Sequence, residues 1–199
     1  MINFRNHLPM RRANRAECEH YSAYRDTLRV DFDRRCGYCN DYDKFRIRSF
    51  TLDHFLPRNP IGFSHCIKPN NYYNLVYACM HCNLAKSNKW PTNDANVPND
   101  GNMGFVDPTL LEYSNLFERS AEGDIIPKQG NKLAAFIIIE LNLWLPFHAK
   151  MWRFEMLKSF ENQLKALPHA KRTERVNDKI AELAMAISEL IDDIFAGND

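Results

Sequence analysis

Long apolar runs are missing from this chain of 199 residues. No stretch approaches the roughly 20 consecutive apolar residues that a transmembrane helix needs, so no membrane partner is expected. The start, Met1-Ile2-Asn3-Phe4-Arg5-Asn6-His7, lacks the apolar core of a secretory leader. Export is therefore not expected, and a cytoplasmic location is. Net charge is nearly absent too, at a formal +1. What the chain does have is 45% hydrophobic and 12% aromatic residues. That is enough to bury a core as one domain, or as a small module with a helical extension.

The small net charge hides an asymmetry. Residues 1–91 hold 15 Lys and Arg against 8 Asp and Glu, a formal +7, and residues 92–199 hold 11 against 17, a formal −6. A basic half of this kind suits phosphate contacts, which carry most of the affinity for nucleic acid and little of the sequence preference. Arg11, Arg12, Arg15, Arg34, Arg35, Arg46, Arg48, Arg58, Lys68, Lys86 and Lys89 could supply them. The competing reading is a solvated basic face.

Six cysteines could form three disulfides, but four of them are paired as Cys36-Gly37-Tyr38-Cys39 and Cys79-Met80-His81-Cys82. Each Cys-x-x-Cys turn sets two thiolates on one side of a knuckle, and two knuckles complete the tetrahedral four-sulfur shell of structural zinc. This spacing favours metal thiolates in a reducing compartment. Cys18 and Cys66 are left over and read as small buried or half-buried residues. His81 could replace a cysteine as ligand, and His65 with Cys66 could form an auxiliary site, although four cysteines already fill the shell.

A bare zinc ribbon needs neither His nor carboxylate between its knuckles, yet Asp53-His54 and Asn74 stand there, and the second pair runs into Asn83-Leu84-Ala85-Lys86. This set resembles the HNH nuclease family over about residues 30–91. The resemblance implies an α+β protein with a small ββα-metal module stapled by the four-cysteine zinc site. It makes His54 the general base, Asn74 the residue that pins the loop, and Asp53 with Asn83 the ligands of a catalytic divalent cation. Two oxygen ligands suit Mg²⁺ or Mn²⁺ better than softer ions. Lys86, one helical turn beyond Asn83, could contact phosphate or stabilise transition-state charge, or could simply be solvated. Arg58, and further out Arg34, Arg35 and Lys89, are candidate nucleic-acid contacts. The expected reaction is phosphodiester hydrolysis, on DNA rather than RNA. The alternatives are a zinc module that binds nucleic acid or protein without cleaving, and a stand-alone restriction or homing nuclease.

Three regions are expected. Residues 1–91 form an N-terminal helix over about 13–33 and the nuclease module. In that module the alternating run Arg46-Ile47-Arg48-Ser49-Phe50-Thr51-Leu52 reads as a strand delivering Asp53-His54, Asn74 to Ala78 reads as a second approach, and Asn83 opens a helix. Residues 92–107, rich in Asn, Asp and Gly, read as a linker or loop. Residues 108–199 read as a hairpin, Asn115–Ser120 with Asp124–Pro127, followed by helices. Val176, Ile180, Leu183, Ile187, Leu190 and Ile194 are spaced 4, 3, 4, 3, 4, a seam for an antiparallel helical hairpin or for a partner. Gly104-Phe105-Val106-Asp107-Pro108, Glu122-Gly123-Asp124-Ile125-Ile126 and Ile139-Glu140-Leu141-Asn142-Leu143 extend the resemblance to the HNH subunit of Septu-type and retron-associated anti-phage systems. That likeness implies an ABC- or SMC-like ATPase partner docked on the C-terminal region.

Overall fold

The computed structural model describes residues 2–45 and 49–196. Arg46 and Arg48, and the first part of the expected strand, lie outside them. The expected α+β class holds, and the chain divides into two compact units, Met1–Trp144 and Leu145–Asp199.

In the first unit, α1 (Arg25–Asp31) follows a 3-10 turn at Tyr21–Tyr24. The helix expected over 13–33 is thus confined to its second half. Asn14 adopts a left-handed φ of 55°, and the Cys18 N–H is captured by the Tyr24 hydroxyl at 2.7 Å rather than by a helical carbonyl. The apolar spacing still holds where the helix forms, because Tyr24, Leu28 and Phe32 are all buried, as an i, i+4, i+8 stripe should be.

The centre of the unit is the antiparallel pair β2 (Phe50–His54) and β3 (Leu75–Cys79), in the register Phe50 with Cys79 and His54 with Leu75. Every residue of β3 is buried, which explains why Leu75-Val76-Tyr77-Ala78 shows no polar alternation. Helix α2 (Met80–Lys86) follows at once and packs on both strands. It begins at Met80 rather than at Asn83, because Cys79 caps it, its Sγ accepting from the Cys82 N–H at 3.5 Å.

The second sheet has three strands. The expected hairpin is β4 (Phe117–Arg119) with β5 (Ile125–Pro127), and β1 (Ile2–Asn3) adds to its edge. Helix α3 (Leu111–Asn115) leads into β4, and α4 (Lys132–Glu140), capped by Asn131 accepting from the Ala134 N–H, follows the sheet. Segment 92–107 contains no helix or strand, yet it is anchored. Phe105 and Val106 are buried in the same core as β2 and β3, and Gly104, at φ +112°, leaves no room for a Cβ, which would meet the Pro98 carbonyl oxygen at 2.3 Å. The division between compact units therefore falls at 144/145 and not within this segment, because its aromatic and aliphatic side chains are part of the core.

The second unit is a helical hairpin. Helix α5 (Pro146–Lys165), with Pro146 in its first turn, packs on α6 (Glu174–Ala196) across a 3-10 turn at His169–Lys171. Phe154 and Leu157 of α5 meet Ile187, Leu190 and Ile194 of α6, so part of the heptad seam is consumed within the hairpin.

Candidate nuclease site and zinc centre

All four paired cysteines are buried, and their sulfurs lie within 4.8 Å of one another. A tetrahedron with Zn–S bonds of about 2.3 Å has edges of about 3.8 Å, and Cys39 Sγ lies 3.8 Å from Cys79 Sγ. The separation fits a shared metal and is far too long for a disulfide. His81 is exposed, and Cys66, expected to be at least half-buried, is exposed as well. Gly37 is required in the first knuckle, since a Cβ there would meet Val76 Cγ1 at 2.7 Å and the Phe32 ring at 2.8 Å.

No local motif signals what holds this knuckle. Its three successive carbonyls each accept a side-chain donor, one from just after β1, one from α3 and one from β4. Arg5 Nη1 donates to Gly37 O at 3.2 Å, the Tyr113 hydroxyl to Tyr38 O at 2.9 Å, and Arg119 Nη2 to Cys39 O at 3.1 Å. Both guanidiniums are buried. Burial lowers Arg5 to about 10, and the negative potential of Cys36 partly opposes this. A four-thiolate zinc centre carries a formal −2, so cations at its backbone complement the charge that the metal leaves uncompensated.

The period-2 geometry of β2 sends Asp53 and His54 to opposite faces. His54 Nε2 lies 2.7 Å from the Pro69 carbonyl oxygen. A carbonyl can only accept, so Nε2 carries the proton and Nδ1 keeps its lone pair. His54 is 8% exposed, and its ring meets Tyr21 edge-on at a centroid distance of 4.9 Å. Burial holds His54 below the ordinary histidine range, opposed by the Pro69 hydrogen bond and reinforced by Arg58 and Lys86.

Asn74 is buried and clamps the turn that leaves β2. Its Oδ1 accepts from the Leu56 N–H and its Nδ2 donates to the Leu56 carbonyl, both at 2.9 Å. Its own carbonyl accepts from the Phe55 N–H at 2.8 Å. One amide side chain thus replaces a pair of ladder hydrogen bonds just beyond His54.

On the other face Asp53 is buried, its Oδ2 accepting from the Tyr38 hydroxyl at 2.5 Å and lying 3.1 Å from Lys86 Nζ. Lys86 is fully buried and also donates to the His54 carbonyl at 2.8 Å. Burial raises Asp53 and lowers Lys86, and their mutual attraction opposes both shifts. The reading of Lys86 as a phosphate contact or a solvated lysine is thereby corrected, because it lies in the interior as the counter-ion of Asp53. Asn83 is half-buried one turn earlier on α2, on the side of the helix from which Lys86 reaches β2. Asp53 and Asn83 each carry a hard oxygen donor of the kind Mg²⁺ or Mn²⁺ takes, and Asp53 has the Lys86 ammonium beside it.

The basic residues separate into those engaged within the fold and those turned to solvent. Arg11 is salt-bridged to Asp107 at 2.8 Å and donates to Leu75 O, Arg12 pairs with Asp31, and Lys89 pairs with Glu140 at 2.7 Å. Arg35 donates to Asn40 O at 2.9 Å and lies over the Tyr42 ring. Arg34 and Arg58 are exposed, and Arg58 lies over Tyr21, 5.6 Å from the ring centroid. Lys89 thus has an ion-pair partner within the fold, and the unpaired basic surface is smaller than the formal count suggests.

A two-stranded antiparallel pair runs into a helix, with a backbone-held histidine on the first strand and a four-cysteine cluster at its far end, an arrangement that suggests a metal-dependent nuclease module. The family model described as HNH endonuclease matches residues 36–89. Comparison with curated proteins and with solved structures gives no match. Tyr21, Arg5, Tyr113 and Arg119 all lie outside the matched stretch, and no motif in the sequence pointed to them.

Proposed function

We propose that this protein hydrolyses phosphodiester bonds of nucleic acid, DNA in the first instance, with His54 as general base and Asp53 and Asn83 holding Mg²⁺ or Mn²⁺. The observation that carries this reading is the 2.7 Å contact between His54 Nε2 and the Pro69 carbonyl, which leaves Nδ1 as the basic nitrogen. An attacking water gives its proton to Nδ1, its oxygen bonds to phosphorus, and the bond to the leaving oxygen breaks. The cation, when bound, supplies charge stabilisation at the phosphate and the leaving oxygen. Asn74 holds the backbone beyond His54, and Tyr38 orients the Asp53 carboxylate. Arg58, exposed and close enough to influence His54, is the best placed of the expected nucleic-acid contacts. Arg34 is a second, more remote one.

The test is cleavage of plasmid DNA and of a matched RNA with Mg²⁺, comparing the wild type with His54→Ala. Loss of cleavage in a variant that keeps fold and zinc supports the assignment, and full activity in that variant refutes it.

The Septu-like layout supports a role as the nuclease of an ATPase-linked anti-phage system, with residues 145–199 as the docking unit. Exposed Met156, Phe160, Met185 and Phe195 supply apolar surface there. Co-purification of an ABC- or SMC-like ATPase tests this role.

A further inference from the structure

Residues 12–20 contain no helix or strand and precede the family match, yet they are tied to the loop that orients His54. Asn70 Nδ2 donates to the Cys18 carbonyl at 2.8 Å and to Glu17 Oε1 at 3.1 Å. Cys18 is itself fixed through its N–H to the Tyr24 hydroxyl at 2.7 Å, and Tyr24 is anchored in the core. Asn70 directly follows Pro69, whose carbonyl accepts the hydrogen bond from His54 Nε2 at 2.7 Å. Three residues beyond Cys18 along the chain, Tyr21 sets its ring at 4.9 Å and 70° to the His54 ring, the edge-to-face arrangement that aromatic pairs favour.

The imidazole is therefore restrained twice by the same N-terminal segment, once by direct ring contact and once through the carbonyl that fixes its tautomer. Loop 57–71 contains no helix or strand, so the position of the Pro69 carbonyl depends on such side-chain ties. A further tie from this segment, Lys68 to Glu17 at 3.5 Å between exposed side chains, is worth little.

We infer that Tyr21 and Asn70 are positioning residues for His54, and that the segment preceding the HNH module completes the nuclease site instead of merely leading into it. This rests on the reading of His54 as the base, and it extends that reading to residues that touch neither substrate nor metal. Groups that orient a reacting or ligating histidine from behind change function by about 10- to 100-fold when removed.

The experiment compares full-length, zinc-loaded wild type with Tyr21→Leu, Tyr21→Phe and the isosteric Asn70→Asp, which loses the N–H donors. Steady-state cleavage of a DNA duplex is measured beside the tautomer of His54 from long-range ¹H–¹⁵N correlations in Mg²⁺-free buffer. Tyr21→Leu and Asn70→Asp should lower kcat about 10- to 100-fold with KM nearly unchanged, and should mix the His54 tautomers. Tyr21→Phe, which keeps the ring edge, should restore both. Wild-type kcat in the two damaging variants, a loss confined to KM, or a lowered kcat with the Nε2–H tautomer intact would each overturn the proposal. If Tyr21→Leu does not fold, Asn70→Asp decides alone. Failure of the nuclease reading itself is distinguished by inactivity of the wild type or by full activity of His54→Ala. The tautomer comparison still tests the positioning in either case.

Discussion

Lys86 Nζ lies 3.1 Å from Asp53 Oδ2, and both side chains are buried. A carboxylate and an ammonium are thus held together on the helix-facing side of β2, one residue from His54. Desolvation makes such a pair a poor source of net stability, but removing one partner strands the other charge in the interior.

Lys86→Met should accordingly destabilise the protein by about 3–5 kcal/mol in Mg²⁺-free buffer. Asp53→Asn combined with Lys86→Met should cost less than the sum of the two single changes. Denaturant unfolding of all four proteins measures the coupling, and simple additivity would show that the two groups do not depend on each other.

The zinc centre should depend on residues outside the matched module. Metal analysis should find one tightly held zinc per chain, and Cys36→Ser or Cys82→Ser should release it and destabilise the first unit. Arg5→Met should cost at least about 1–3 kcal/mol, because a buried carbonyl loses its donor, and should weaken zinc retention against a chelator. Zinc held as tightly as in the wild type would contradict the role given to the Arg5 cation.

Asp53→Ala and Asn83→Ala should shift the divalent-ion dependence of cleavage to higher Mg²⁺ or Mn²⁺ while zinc content stays constant. Unchanged metal titrations in both variants would rule out this ligand pair.

Activity should persist to lower pH than an ordinary histidine base allows. Burial lowers His54 from its usual value, and a general base works only when neutral, so the acid limb of kcat/KM should lie below about pH 6.5. Arg58→Gln removes a nearby positive charge that lowers His54 and should move the limb upward. An acid limb above pH 6.5 in the wild type would contradict the buried setting of this ring.

Nucleic acid and a protein partner should engage different parts of the chain. Affinity for DNA should fall steeply with salt and should weaken on charge removal at exposed Arg34 and Arg58. Glu182→Lys with Glu189→Lys on α6 should weaken complex formation with an ATPase partner while sparing intrinsic cleavage. Equal loss of DNA binding in the α6 variant would argue against this division.

Local chemistry made part of the protein legible in its sequence. Cys-x-x-Cys spacing is a property of one turn, so the four-sulfur cluster was readable. The alternation ending at Asp53-His54 marked a strand end, and the hairpin signal around Gly123 concerns near neighbours in the chain. Formal charge was readable too, but its use was not. Whether Arg11 or Lys86 faces solvent depends on Asp107 and Asp53, which lie 96 and 33 residues away. The division between units was also a tertiary matter, because segment 92–107 has the composition of a linker but sends Phe105 and Val106 into the core. The clamp on the first knuckle joins Arg5, Tyr113 and Arg119 to residues 37–39. The seat of His54 joins Tyr21 and Asn70 through a proline carbonyl. No local pattern encodes such contacts, because backbone carbonyls and ring edges become specific partners only once the fold has brought distant segments together.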